Sequence, residues 1–351
     1  MHNYRIRTLA GLTAAVLAIS ACSAGDDDTA DTAAGTTDTV ADGGDSTGVS
    51  LENCGFEVTV PEPPERIVSM YQSSTEILLS LGVADRMVGT ATWFDPVLPE
   101  LAADNEQVPR LAENNPSLEV TLDTEPDLVV SSVTPILSQG GVGTREQFEE
   151  LGIATYVSPT DCIGKVADDG DGYRTQPYTV DMLFQEITEL SEILAVEERG
   201  EELVSDLRAR ADQARGFELR DDLTAMYWFA GEEAPYMAGC CGAPGMISET
   251  LGIENVFADS DQDWPEMSWE VVADRNPDVI FLADLTRDRM TAESAAAKIA
   301  FLESDPVLSE MEAVREGRFV ILPGQALDPS IRNIYELPRI HSELVELGLG
   351  G

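Results

Sequence analysis

The sequence predicts an α/β protein built from two similar halves around a helical spacer, on three observations. The longest helical stretch, Thr179 to Gly216, lies mid-chain, with Val180, Leu183, Phe184, Ile187, Leu190, Ile193 and Leu194 at helical spacing. Matching segments flank it: Pro126-Asp127-Leu128-Val129-Val130 before and Pro277-Asp278-Val279-Ile280-Phe281 after. Each Pro-Asp pair leads into an apolar run of buried-strand length. Around these runs strand and helix patterns alternate, the order that yields parallel sheet covered by helices. A chain of 351 residues has room for two domains with proper cores.

The N-terminus predicts export. Arg5 and Arg7 precede an apolar run, Leu9 to Ile19, that is too short to span a bilayer. Ile19-Ser20-Ala21-Cys22 then has the small-residue pattern of a bacterial lipoprotein signal. Residues 1–21 are expected to be the signal peptide and Cys22 the lipidated residue, anchoring the product to the outer face of the cell membrane. Residues 22–52, rich in Asp, Thr, Gly and Ala, read as a disordered acidic tether.

An N-terminal lobe is expected over 53–178. Val58, Val60 and then Ile67, Val68 and Met70 read as strands separated by the Pro61–Pro64 turn cluster. Ser73 or Ser74 caps a helix through Leu81, stopped by Gly82, and Val88-Gly89 opens the next strand. Thr92 to Pro116 reads mostly as loop. Pro116-Ser117 starts a short helix over Leu118, Val120 and Leu122, ahead of the Pro126–Val130 strand. A Ser/Gly/Pro loop, Ser131 to Gly143, leads to a helix over Thr144 to Leu151 and a strand over Ile153 to Val157. The helical segment fills 179–217, with a break at Ala195 to Gly200 and a second helix over Glu201 to Arg215. The C-terminal lobe, 218–351, repeats the plan: a strand at Thr224–Ala230, a Gly239–Gly245 loop and a helix through Leu251. A helix at Trp269–Arg275, a strand at Asp278–Leu282, a helix at Thr291–Phe301 and a strand at Arg318–Leu322 follow. A loop and helix over Pro329–Leu347 close the chain.

Composition excludes several functions. A formal charge of −44, with Lys165 and Lys298 as the only lysines, repels nucleic acid and anionic membrane. Beyond the signal peptide the only histidine is His341, so a His-rich metal site or a His-dependent triad is excluded. No phosphate-cradling Gly-rich loop with Lys and no Gly-x-Ser-x-Gly turn is present. No catalytic residue, metal site or cofactor is assigned. Four cysteines remain besides Cys22. Cys54 opens the folded part and Cys162 ends its first half, which makes them candidate disulfide partners in an exported chain. Adjacent Cys240 and Cys241 either form a vicinal disulfide or stay thiols, and all three connectivities remain open. An exported enzyme would need one of these two thiols as nucleophile.

Binding features are clearer. Tyr71, Trp93, Phe94, Trp228, Tyr236, Met237, Trp264 and Trp269 fall in loops or at strand ends. In open α/β sheets that is where ligands sit, and aromatics there line a cleft for a large, partly apolar molecule. Trp228 and Trp269 read equally well as core. Arg145 and Arg332 are candidates to grip an anionic ligand by paired hydrogen bonds, with plain surface arginines as the alternative.

These residues also carry a resemblance. Pro64-Glu65-Arg66-Ile67-Val68-Ser69, Thr75-Glu76-Ile77-Leu78, Leu81-Gly82-Val83 and Val88-Gly89 resemble the opening of helical-backbone substrate-binding proteins of ABC importers, the branch serving ferric siderophores, haem and cobalamin. The likeness continues through Ser117-Leu118-Glu119, Glu125-Pro126-Asp127-Leu128-Val129, Leu151-Gly152-Ile153, Glu249-Thr250-Leu251-Gly252-Ile253, Asp263-Trp264-Pro265 and Asn276-Pro277-Asp278. It implies two Rossmann-like lobes with parallel-rich sheets joined by a single long helix, with the ligand cleft between them. It implies that Glu119 and Glu249, one per lobe, dock onto the permease, which works with its ATPase, and that Trp264 faces the ligand. The ligand set is Tyr71, Trp93, Phe94, Arg145, Trp228, Met237, Trp264 and Arg332. The expected role is a monomeric receptor for an iron(III)–siderophore complex, with cobalamin or a deazaflavin cofactor precursor as alternatives. The Cys240-Cys241-Gly242-Ala243-Pro244-Gly245 loop departs from the commonest family pattern and resembles an actinobacterial subgroup.

Overall fold

The computed structural model describes residues 48–166, 172–287 and 289–351. The signal peptide, Cys22 and the tether up to residue 47 lie outside the described residues. The fold begins with an antiparallel hairpin, β1 (Val49–Asn53) and β2 (Phe56–Val60), turning through Cys54 and Gly55 at φ 53° and 81°. This corrects the expected end of the tether. Val49, Leu51 and Asn53 face inward while Ser50 and Glu52 face water, the two-residue alternation of a half-buried strand. Acidic composition averaged over thirty-odd residues hides that five-residue pattern.

The first sheet follows from β3 (Ile67–Met70), α1 (Gln72–Ser80), β4 (Met87–Ala91), α2 (Ala102–Asn105), β5 (Arg110–Ala112), α3 (Leu118–Leu122), β6 (Leu128–Ser131), α4 (Arg145–Glu150) and β7 (Ala154–Val157). Its order is β5-β4-β3-β6-β7, with every neighbour parallel. The central strands β3 and β6 are buried throughout, because helices cover both faces. Both α2 and β5 lie inside the stretch expected to be loop; β5 spans three residues, none fully buried, so no apolar run marks it. Ser117 and Thr144 cap α3 and α4, the latter in a reciprocal capping box with Gln147.

A small hairpin, β8 (Lys165–Val166) with β9 (Tyr173–Arg174), precedes the helical segment. That segment is two helices, α5 (Val180–Ile193) and α6 (Glu197–Ala214). The break is shorter than expected and centres on Ala195 at φ 53°. Gly200 lies inside α6 and serves packing: a Cβ there would fall 2.3 Å from Ser191 Oγ on α5.

The second sheet uses β10 (Thr224–Trp228), α7 (Ala243–Leu251), β11 (Glu254–Asn255), α8 (Trp269–Arg275), β12 (Val279–Asp284), α9 (Ala295–Ser304), α10 (Glu312–Arg315), β13 (Phe319–Pro323) and α11 (Arg332–Glu346). Its order is β11-β10-β12-β13, again all parallel. The repeated Pro-Asp pairs do the same job in each sheet. Asp127 accepts from the backbone N–H of Glu65 and Arg66 at 2.8 and 2.9 Å, fastening the start of β6 to the start of β3. Asp278 accepts from Thr224 N–H at 2.9 Å, fastening β12 to β10. One apolar core runs through both lobes by way of α5, α6 and α11, and a separate cluster covers the far face of each sheet.

Candidate functional site

A cleft of ≈ 530 Å³ opens between the two sheets. Its first wall is built at the carboxyl ends of strands: Tyr71 directly follows β3, Ser132 directly follows β6, and Thr160 and Asp161 follow β7. The chain leaves β3 toward one side of the sheet and returns at β6 on the other, so this is the crevice where an open parallel sheet presents ligand. Gly242, Ala243, Asp263 and Trp264 form the opposite wall, with Leu327 to Pro329 between. A larger groove of ≈ 800 Å³ lies elsewhere, beneath the β1–β2 hairpin. It is away from the carboxyl ends of the parallel strands and is lined from the first lobe alone, so the interlobe cleft is the better candidate.

Tyr71 stands at the start of the first wall, between β3 and α1. It sits at φ 97°, a conformation that costs a bulky residue energy and is held by its N–H donating to Ala91 O at 2.9 Å. Its hydroxyl donates to Asp328 Oδ2 of the second lobe at 2.9 Å. Burial, then the Asp328 carboxylate, holds the phenol well above its ordinary pKa. Trp264 is half-buried on the facing wall, its ring 5.0 Å from Phe229. Four charges close one end of the cleft. Lys165 Nζ lies 2.7 Å from Asp161 and 3.3 Å from Asp263, and Arg174 Nε lies 2.7 Å from Asp263. Burial disfavours the Lys165 ammonium, but Asp161 and Asp263 outweigh it and hold its pKa above the ordinary value.

A family model described as periplasmic binding protein matches residues 67–326. The chain belongs to the periplasmic binding protein family. This periplasmic binding protein is 27% identical over 227 residues to a vitamin B12-binding protein of Vibrio cholerae, covering 64% of this chain and 72% of that one. It is similar to a solved periplasmic binding protein from Veillonella parvula, with a TM-score of 0.73, 25% identity, and 88% and 100% of the two chains covered. A second solved structure, of an ABC-type Fe3+-hydroxamate transport system from Saccharomonospora viridis, has a TM-score of 0.68 and 26% identity over 84% and 98%. Membership makes the chain an extracytoplasmic substrate-binding protein that takes up a small molecule for an ABC transporter, a transport role rather than an enzymatic one. Its described residues contain no helix long and apolar enough to cross a membrane.

Of the residues expected in the ligand site of this periplasmic binding protein, Tyr71 and Trp264 line the cleft. Phe94 lies just behind, its ring 4.8 Å from that of Tyr71. The others are placed differently, and each has a reason. Trp228 and Met237 are fully buried in the second lobe; Trp228 packs edge-on against Trp269 at 4.8 Å and donates to Ala230 O at 3.0 Å, as a core tryptophan does. Trp93 is buried beneath the Arg110 guanidinium at 4.2 Å. Arg145 is spent on structure, donating to Asn53 O at 2.8 Å and Thr155 O at 3.0 Å. Arg332 forms a buried ion pair with Glu76 across the lobes, its Nε 2.8 Å from Oε2, and also donates to Pro96 O. Neither arginine is available to a ligand.

Asp161, Lys165, Arg174, Asp263 and Asp328 line the cleft without having been expected in the ligand site. Lys165 carried a signal, being one of two lysines, and Asp263 stood in the Asp263-Trp264-Pro265 match, whereas Asp161, Arg174 and Asp328 carried none. Glu119 and Glu249 lie exposed on α3 and α7, one on each lobe. Cys54 is bonded to Cys162, tying the β1–β2 turn to the segment after β7, and Cys240 is bonded to Cys241.

Proposed function

We propose that this protein is a lipid-anchored receptor that captures an iron(III)–siderophore complex and hands it to an ABC permease. The observation that carries the reading is the interlobe cleft itself, lined by Tyr71 at the end of β3 and by Trp264 from the loop before α8. Its ≈ 530 Å³ lies within the roughly 300–1,000 Å³ usual for small-molecule sites and suits a ferric chelate better than the bulkier corrinoid. Among the described residues no group of three or more His, Cys, Asp or Glu is placed to hold a metal ion, which favours iron arriving inside its chelator. The Saccharomonospora viridis likeness, titled for Fe3+-hydroxamate transport, supports the same class.

Cobalamin is the second reading, favoured by the vitamin B12-binding relatives. The deazaflavin precursor loses support because Arg145 and Arg332 are both engaged. The thiol-enzyme reading loses support because Cys240 and Cys241 are bonded to each other. In the proposed cycle Cys22 carries the lipid, the receptor acts as a monomer over lobes 53–178 and 218–351, and Glu119 and Glu249 contact the permease.

Titration with ferric trihydroxamates should quench the intrinsic fluorescence, and much less so in Trp264→Leu. Cyanocobalamin quenching in place of any ferric chelate would transfer the assignment to the second reading. Reversing charge at both Glu119 and Glu249 should abolish uptake by cells and leave ligand affinity intact; unchanged uptake would refute the docking role.

A further inference from the structure

Five charged side chains line the cleft among the described residues: Asp161, Lys165, Arg174, Asp263 and Asp328. Three carboxylates against two cations leave a local charge of −1. Both cations are already committed. Lys165 is shared between Asp161 and Asp263, and Arg174 holds Asp263 while donating to Thr160 O at 3.0 Å. The side chains of Arg174, Asp161 and Asp263 are 1%, 7% and 7% exposed, so this is a desolvated network and not a surface pairing. The network also joins the lobes. The hairpin that bears Lys165 and Arg174 is stitched to the loop that bears Asp263, with Arg174 N–H donating to Asp261 O at 2.8 Å and Asp263 N–H to Gly172 O at 3.1 Å.

Among the described residues that line the cleft, an anionic ligand meets no uncommitted cation. To gain Lys165 or Arg174 it must displace a buried carboxylate, which then stays desolvated without its partner. Asp328 adds its charge beside Tyr71, accepting from the Tyr71 hydroxyl and from Gln325 Nε2 at 3.2 Å. The nearest arginines do not reverse this. Arg287 is held by Glu293 at 2.8 Å and packs against the rings of Phe94 and Phe229, while Arg289 is exposed, does not line the cleft and has Glu293 beside it, so solvent and that carboxylate weaken its field there. The whole-chain charge of −44 acts in the same direction at longer range.

We infer that this cleft selects its cargo by charge, admitting ferric chelates that are neutral or positive and refusing anionic ones, with Asp161 and Asp263 as the specificity-determining residues. The inference rests on the ferric-chelate reading and adds to it the charge class of the chelate and the residues that enforce it. A neutral or positive chelate leaves the four-charge network intact and uses it as a wall. The network then serves recognition, a role that ion pairing for stability alone does not require.

The test is calorimetric titration of the full chain with two probes, a cationic linear ferric trihydroxamate and a trianionic ferric tris-catecholate. Wild type should bind the cationic chelate at least tenfold more tightly. Asp263→Asn frees Arg174 and loosens Lys165, and should narrow that ratio by roughly tenfold through a gain for the anion. Asp161→Asn should act in the same direction and decides the matter if Asp263→Asn fails to fold. A merely structural role would weaken both probes alike and leave their ratio unchanged, which overturns the assignment of these aspartates. Wild type that prefers the tris-catecholate overturns the charge rule while the receptor reading stands. Wild type that binds neither chelate overturns both.

Discussion

At the scale of single residues the sharpest feature is Glu186. It lies on α5, 2% exposed, accepts from Ser158 Oγ, and leaves Oε1 without a partner. Burial pushes its pKa up to about 7, the Ser158 hydrogen bond opposing and Glu189 reinforcing the rise. Between its unfolded value near 4.5 and that folded value the native state keeps a proton that the unfolded chain has released. Stability from this group is therefore complete below the lower limit and is lost as pH rises through the window, by on the order of 3 kcal/mol in all. Glu186→Gln should flatten the stability curve between pH 4.5 and 7 and raise the melting temperature at pH 8. Melts at pH 5 and 8 that keep the wild-type difference would contradict this. Nothing in the local sequence separates Glu186 from Glu189, one helical turn on, which instead accepts from the Tyr156 hydroxyl at 2.7 Å. Burial depth set by α5 packing makes the distinction.

Arg145 and Arg332 teach the same lesson from the other side. Each was legible as an arginine in a polar stretch, and each finds its partner far along the chain: Asn53 lies 92 residues from Arg145, and Glu76 lies 256 from Arg332. A ligand-gripping arginine and a structural one look alike until those partners are brought in.

At the scale of elements, the break between α5 and α6 rests on Ala195 in the left-handed region, at φ 53°. An alanine there carries about 1 kcal/mol of steric cost that glycine avoids. Ala195→Gly should therefore raise the urea midpoint modestly, whereas a fall would show that the unfolded chain's extra freedom outweighs the relief. The Cys54–Cys162 bond closes a separation of 108 residues and pins the β1–β2 hairpin to the first sheet. Replacing both cysteines with serine should cost about 2–5 kcal/mol, read as a lower denaturant midpoint. A change under 1 kcal/mol would mean that Asn53, whose amide bonds Val157 O at 2.8 Å and Val157 N–H at 2.9 Å, holds the hairpin unaided. The strands on which these elements pack were readable wherever an apolar run had no other explanation, as at β6 and β12. The short, half-exposed β5 and β11 owe their existence to a parallel neighbour and not to their own residues.

For the whole molecule, the two lobes are coupled through buried polar contacts as well as the shared core. Glu76 and Arg332 pair across the seam, with Glu76 fully buried, and Gln325 N–H donates to Asp95 Oδ2 at 2.8 Å. Burial, only partly offset by the Gln325 hydrogen bond and Arg332, raises the Asp95 pKa above the usual carboxylate value. Arg332→Met strands Glu76 without its cation and should cost about 3–5 kcal/mol, whereas Glu76→Leu with Arg332→Met together should cost distinctly less. Equal losses in single and double variants would show that the pair contributes through packing alone.

The α6 helix, ~27 Å long at 1.5 Å per residue, packs along α5 and against α7 and α11 of the second lobe, while its Arg199 donates to Ser80 O of the first at 3.2 Å. A rigid rod in contact with both lobes limits how far they can part.

What the sequence determined by itself was the pattern that local chemistry repeats: two α/β halves, a helical segment between, and the twin Pro-Asp pairs that start equivalent strands. These are legible because a strand or helix declares its buried face within a few residues. The tertiary structure alone decided which aromatics face the cleft, which arginines are free, and that Asp161, Lys165, Arg174 and Asp263 form one network. Those outcomes depend on partners brought together from distant positions and on the depth at which each side chain is buried. Neither quantity is a property of any stretch of the chain taken alone.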